Sequence, residues 1–374
     1  MSNSALTRNA RELAAFLRWD GEVDFVSRAS LGLKAVLQAL RRQSPGRVAL
    51  SPIVCQDVVS AVLSAGYEPY FVDVNPDSGE VQIDQWERAR QAGCHVAIVV
   101  HLYGRIADVR SVREIFNSRD CFVIDDAAQA FGSACEFGFA GTMGDFGLVS
   151  FGSSKHITSG GAAVLHKSPA IASETREQLQ KIRCLTLHRA ERAELDFRRR
   201  FNLAREALVD TGRATQGFVG LLADYDSTFR LPLDVKSISA LEIELEKYPE
   251  RARIRLANAR HWTQALDQDR FVGLDYRDQD VPWRYACRLP GVSWRVQQCI
   301  AEEIRKAGIE TSNWYLPAHW YFPEHAPLSG AESFSREVFQ FWVEPGMERA
   351  IGASAATVNQ ILLNFEDHVH FGMV

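Results

Sequence analysis

Residues 96–129 read VAIVVHLYGRIADVRSVREIFNSRDCFVIDDAAQ. Val96 to Val100 is an apolar, mostly β-branched run, which predicts a strand buried on both faces. Val109, Val112 and Phe116 then recur at helical spacing, and Cys121 to Ile124 is a second apolar run. Strand, helix and strand in that order form the unit of a parallel sheet. The second strand runs straight into Asp125, Asp126 and Gln129. Polar side chains directly after a buried strand mark the sheet edge where open α/β folds hold their ligands.

The same alternation extends from residue 30 to residue 165. A helix from Ser30 carries Leu33, Val36, Leu37 and Leu40, and a strand is predicted at 47–51. Val58, Val59, Val62 and Leu63 mark a helix closed by Gly66. Further strands are predicted at 70–74, 147–151 and 162–165, giving a mainly parallel α/β sheet with helices on both faces. Residues 188–225 are Arg-rich and helical in propensity, and read as an insertion. It is open to three readings: a lid, an oligomer contact, or a solvated hairpin with Arg198-Arg199-Arg200 facing water. One helix through Leu241, Ile243 and Leu245 and another from Ala252 to Leu266 follow. The last hundred residues mix short strands (285–289) and helices (296–306, 347–363) as a smaller α+β unit does. The boundary falls near 245–270, with a large unit over 1–250 and a small C-terminal unit over 251–374.

Composition narrows the function. The 374 residues are 46% hydrophobic and 24% charged, too apolar for disorder and enough for two domains. Lys and Arg number 42 against 47 Asp and Glu, a net charge of -5 without long single-sign blocks, so neither nucleic acid nor an anionic membrane is indicated. A small molecule is the expected partner. Leu6, Ala10, Leu13 and Leu17 make the N-terminus an amphipathic helix and not a signal peptide, and no window reaches membrane-spanning length. Seven cysteines, an odd number with no CxxC, predict reduced thiols, no metal site and a cytoplasmic protein.

Three strand-end clusters carry candidate chemistry. A buried carboxylate such as Asp126 serves as helix cap, metal ligand or cofactor partner. Ser150-Phe151-Gly152-Ser153-Ser154-Lys155 sets hydroxyls and a lysine after another strand; a desolvated lysine forms Schiff bases, while the bland reading is an exposed loop lysine. Ala29-Ser30 opens the first helix, whose N–H groups attract an anion, with Ser30 its natural N-cap. A carboxylate, a lysine, hydroxyls and a helix N-terminus at several strand ends together describe a pyridoxal phosphate pocket.

These residues lie in stretches that resemble the DegT/StrS family of pyridoxal-phosphate-dependent sugar aminotransferases: SRASLGLKAVLQAL, AGYEPYFVDVNPDSGEV, VVHLYGRIADV, VIDDAAQAFGS, GTMGDFGLVSFGSSKHITSGGAAVL and AGIETSNWYLPAHW. The resemblance implies a seven-stranded sheet of the aspartate aminotransferase type (fold type I) and a homodimer with shared sites. It implies that pyridoxal 5'-phosphate is attached to Lys155, with Asp126 on its ring nitrogen and Gln129 near its phenolic oxygen. Ser150, Ala29 and Ser30 would hold the phosphate. Tyr315 and His319 match a stretch near the sugar-nucleotide site. The family's ring-stacking aromatic is Gln56 here, and its Asn-x-Arg, which reaches the partner's phosphate, is Thr228-Phe229-Arg230. The implied reaction moves an amino group from an amino acid, glutamate, to a keto group of a nucleotide-linked sugar, in polysaccharide or secondary-metabolite biosynthesis. His156 follows the lysine without replacing it, which favours transamination over dehydration. The alternatives are another keto substrate such as a cyclitol ketone, and a non-catalytic regulatory relative.

Overall fold

The computed structural model describes residues 3–41, 46–211, 217–313 and 316–370. Its large sheet is built from β1 (Glu22–Val26), β2 (Arg47–Leu50), β3 (Glu68–Phe71), β4 (Cys94–Val100) and β5 (Phe122–Asp126). A small hairpin, β6 (Ala134–Cys135) and β7 (Gly138–Phe139), precedes the last two sheet strands, β8 (Phe146–Ser150) and β9 (Ala162–His166). The seven lie in the order β1-β9-β8-β5-β4-β2-β3. Only β9 runs against its neighbours, so the polar ends of β2, β3, β4, β5 and β8 share one edge.

Strand periodicity divides the core. Val96, Ile98 and Ile124 face the helices Ala29–Leu40 and Gln56–Ser64, whereas Ala97, Val99 and Val123 face Ile83–Gln91 and Val109–Ile115. The N-terminal helix Asn3–Leu17 buries Leu13 and Leu17 against Phe131, Leu241 and Tyr248. Two strands differ from the expectation. Residues 70–74 pair only up to Phe71, after which Val74 makes an isolated bridge to Val81. β1 lies outside the expected strands although Glu22-Val23-Asp24-Phe25 alternates, because it is a short, mostly half-buried edge strand whose inward Val23 and Phe25 make no long apolar run.

The expected pair of helices between 241 and 266 is one helix, Leu241–Ala265, running through Pro249. An internal proline costs about 3 kcal/mol. Leu241, Leu245 and Tyr248 before it, and Ala259 and Trp262 after it, are all buried, and this packing outweighs the break. Beyond it a four-stranded antiparallel sheet forms from β10 (Val272–Gly273), β11 (Tyr285–Arg288), β12 (Thr311–Ser312) and β13 (Val338–Phe341). The helices Trp294–Lys306 and Ile351–His370 cover it. Among the described residues no helix is long and apolar enough to cross a membrane.

The Arg-rich segment forms the helices Leu187–Thr211 and Gly217–Asp224. Arg198, Arg199 and Arg200 face water, with Arg198 on Glu194 and Arg200 on Asp196. The hairpin as a whole is not solvated. Phe197, Phe201, Leu208, Phe218 and Leu222 join the core that covers the Gln56–Ser64 side, and Phe201 meets the rings of Phe197 (5.3 Å), Phe218 (5.5 Å) and Tyr321 (5.8 Å). Phe201→Ala is therefore expected to lower global stability by about 3–5 kcal/mol, measured by denaturant unfolding; an appendage would leave the midpoint unchanged.

Candidate active site

At the end of β4 the chain turns through His101–Gly104, and this turn orders the end of β5. The N–H of Ala107 donates to His101 Nδ1 (2.9 Å), which leaves the ring proton on Nε2, facing Asp125 Oδ1 at 2.5 Å. The second Asp125 oxygen accepts from Met143 N (2.8 Å), so both oxygens are engaged. Asp126, one residue on, points to the opposite face of β5. It is buried, and Oδ1 accepts from Ala128 N at 2.9 Å. Burial raises its carboxyl above the usual range, against the pull of Lys155. Gln129 is fixed through its carbonyl, which accepts from Tyr103 N (3.1 Å).

Lys155 sits in the loop between β8 and β9. The loop closes by Phe151 N to Gly161 O (2.9 Å) and Gly160 N to Phe151 O (2.7 Å). Gly160 and Gly161 have φ of +95° and +77°, and a Cβ on Gly161 would meet Ile238 Cδ1 at 2.8 Å, so glycine is required there. Lys155 is partly buried, and its Nζ rests 4.8 Å from the ring centre of Trp283. Burial holds its amine below the ordinary value, opposed by Cys55, Asp126 and Asp57. Among the described residues no carboxylate stands within ion-pair distance of Nζ. A buried carboxylate and a desolvated amine near each other but not ion-paired suit a flat group with a ring nitrogen to pair with the one and an aldehyde to react with the other, and pyridoxal phosphate is such a group.

The phosphate end fits too. Ser150 pairs with Ala162, which pairs with Val26, so Ser150 and the helix starting at Ala29 lie at one level of the sheet edge. Ser30 is not the N-cap. Arg28 holds that position with extended backbone, no side chain caps the helix, and Ser30 is its second residue. An uncapped N-terminus leaves N–H groups for an anion.

Thr228 and Arg230 make local side-chain contacts in their own chain, and it is Asp226 that reaches the Ala29–Leu40 helix. Thr228 Oγ1 donates to Tyr225 O (2.8 Å), and Arg230 Nε lies 3.5 Å from Asp226, which also takes buried Lys34. Gln56 opens its helix between Cys55, whose thiol donates to Asp57 (3.3 Å), and Asp57 itself. The ring of Tyr225 lies 3.9 Å from that of Phe197, and burial with Asp57 nearby pushes its hydroxyl up. His319 is buried on the chain that docks through Ala318 N to Pro52 O (2.8 Å); its Nε2 meets Glu332 at 3.0 Å, and its Nδ1 has no protein partner. Tyr315 lies outside the described residues. His156 turns away from the cleft and bonds Val281 O at 3.0 Å.

Trp283, Arg284 and Tyr225 carry no local sequence signal, because their roles depend on packing across more than a hundred residues. His101 was readable only as part of HLYG.

A family model described as the DegT/DnrJ/EryC1/StrS aminotransferase family matches residues 4–352. The GDP-perosamine synthase of Escherichia coli O157:H7 is 32% identical over 135 residues, 36% of this chain and 37% of that protein. The L-glutamine:2-deoxy-scyllo-inosose aminotransferase of Streptomyces kanamyceticus is 30% identical over 185 residues, 48% of this chain and 42% of that protein. The chain thus matches less than half the length of either relative. The Helicobacter pylori aminotransferase PseC, involved in the biosynthesis of pseudoaminic acid, superposes with a TM-score of 0.78 at 17% identity, over 97% of this chain and 92% of that one; it shows the shared fold.

Burial, with Arg255 nearby, keeps His156 neutral, its pKa well below the usual value. The unfolded chain gains a proton near pH 6.5 that the fold refuses, so stability should fall with acidification below about pH 6.5, by up to roughly 1.4 kcal/mol per pH unit. His156→Gln should flatten that slope in denaturant titrations between about pH 6.5 and 5; an unchanged slope contradicts the assignment.

Proposed function

The chain belongs to the DegT/DnrJ/EryC1/StrS aminotransferase family, and we propose that it is a pyridoxal-phosphate-dependent aminotransferase acting on a keto group of a nucleotide-linked sugar. The observation that carries this reading is that Asp126, at the end of β5, and Lys155, in the loop that follows the neighbouring strand β8, are close enough to influence each other's charge yet form no ion pair. A scaffold has no use for two desolvated charges held apart, which argues against a non-catalytic relative.

Pyridoxal phosphate, when bound, supplies an electron sink for the pair left by a breaking C–H bond. This chain's residues do the rest. Asp126, buried and hydrogen-bonded, gives the ring nitrogen a fixed counter-ion. Lys155, whose amine burial holds below its ordinary value, would attach the cofactor and would carry the substrate proton. Ser150 and the N–H groups of Ala29 and Ser30 hold the phosphate. Gln129, steadied by Tyr103, would lie near the phenolic oxygen. His319, whose buried Nδ1 has no protein partner, and Tyr315 are the proposed sugar-side residues. Thr228 and Arg230 belong to the cofactor and substrate region, and a homodimer with shared sites follows the family's arrangement. The large unit 1–250 holds the cofactor and 251–374 closes the substrate side. Glutamate is the proposed donor and the cytoplasm the proposed compartment. A cyclitol ketone is the second reading, favoured by the likeness to the Streptomyces enzyme.

The purified protein, supplied with pyridoxal phosphate, should show a visible cofactor band that glutamate bleaches. Lys155→Ala should lose turnover at least about a thousandfold, and Asp126→Asn about a hundredfold or more. A protein that takes up no cofactor overturns the reading. Nucleotide keto-sugars and cyclitol ketones offered to the glutamate-treated enzyme decide between the substrate classes.

A further inference from the structure

Trp283 is contributed from far along the chain, just before β11, yet it borders the lysine loop. All its polar groups are tied. Its backbone N–H donates to Tyr103 O (3.1 Å), its carbonyl accepts from Arg284 Nη1 (2.9 Å) and Arg255 Nη1 (3.2 Å), and its indole Nε1–H donates to Ser154 O at 2.5 Å. The ring is 9% exposed. Arg284 lies 4.8 Å from its centre and is held in turn over Trp342 (4.1 Å). The indole thus has one place to be. Ser154 immediately precedes Lys155, whose Nζ is 4.8 Å from the same ring.

From this geometry we infer that Trp283 is a positioning residue for Lys155: its N–H fixes the loop that carries the lysine, and its π face seats the amine. The inference rests on Lys155 being the cofactor lysine. An aromatic face attracts an ammonium without offering it a proton acceptor, so it steadies the side chain while leaving the amine free to react. A carboxylate in that place would hold the lysine as a closed ion pair. The titratable groups around Nζ are Asp126 from β5, Asp57 and the protonated Cys55 thiol from the start of the Gln56–Ser64 helix, and Arg284 beside the indole, with neutral His156 next in the chain. Against these fixed neighbours Trp283 adds a favourable surface for the protonated form.

The test uses the full-length chain stripped of cofactor. The rate at which it captures pyridoxal phosphate, followed by the visible band across the alkaline range, gives the midpoint for Lys155. Trp283→Leu is expected to lower that midpoint by about 0.4–1 unit, because the ammonium loses its aromatic face. Trp283→Phe keeps a ring with a weaker face and should shift it the same way by less, while hydrogen exchange of residues 152–156 rises because Ser154 O loses its donor. A residue that only fills space would act oppositely: water entering the gap raises the midpoint toward the ordinary lysine value. An unchanged or raised midpoint in a folded Leu variant overturns the inference; should that variant not fold, a raised or unchanged midpoint in the Phe variant does so. Borohydride reduction and peptide mapping separate the two layers. Label on a lysine other than Lys155 defeats the proposed function, whereas label on Lys155 with an unmoved midpoint defeats only the role of Trp283.

Discussion

The turn His101–Gly104 is the constraint on which the site depends. His101 N donates to Asp126 O (3.2 Å), Tyr103 joins Gln129 on one side and Trp283 on the other, and Gly104 O accepts from Ser133 Oγ (2.7 Å). Tyr103 has a φ of +59°, a conformation that costs an L-residue about 1–2 kcal/mol. Gly104 follows at +95°, and a Cβ there would meet Val281 O at 2.1 Å. The close approach lets the 281–283 segment lie against the sheet edge. Without it neither Trp283 nor the His156 strap to Val281 would reach the lysine loop.

Electrostatics at this edge is local. A chain of net charge -5 is proposed to take phosphorylated anions. Over distances beyond about 8–10 Å such a global charge is screened, so an uncapped helix end and nearby cations can act against it. Asp226 shows the opposite arrangement, a carboxylate shared between Lys34 and Arg230, which keeps two cations beside the Ala29 helix neutralised within the protein.

The Arg-rich segment shows how composition misleads where packing decides. Its exposed arginines dominate the sequence, yet Phe197 and Phe201 on the other face bring the helix into the main core and onto Tyr225 and Tyr321. The helix therefore supports the Gln56–Ser64 helix from outside. Pro249 makes the same point: its local preference is to end a helix, and a continuous buried face overrides it.

The apolar runs at β4, β5, β8 and β9 were legible because a strand buried on both faces must be apolar throughout. Asp126, Gln129, Ser150 and Lys155 were legible as candidates because Asp126 and Ser150 end β5 and β8, and Gln129 and Lys155 lie in the segments that follow. The weak β1, the shift of the N-cap from Ser30 to Arg28, and the neighbours of Lys155 were not. The sequence alone determined the apolar runs of β2, β4, β5, β8 and β9 and the chemical groups that follow them, since hydrophobic periodicity and strand ends are local properties of the chain. Only the tertiary structure decided that Asp125 serves His101 while Asp126 lies near the lysine, and that Trp283 borders Lys155. Those outcomes depend on register, face and contact between segments far apart in the chain, which no local pattern encodes.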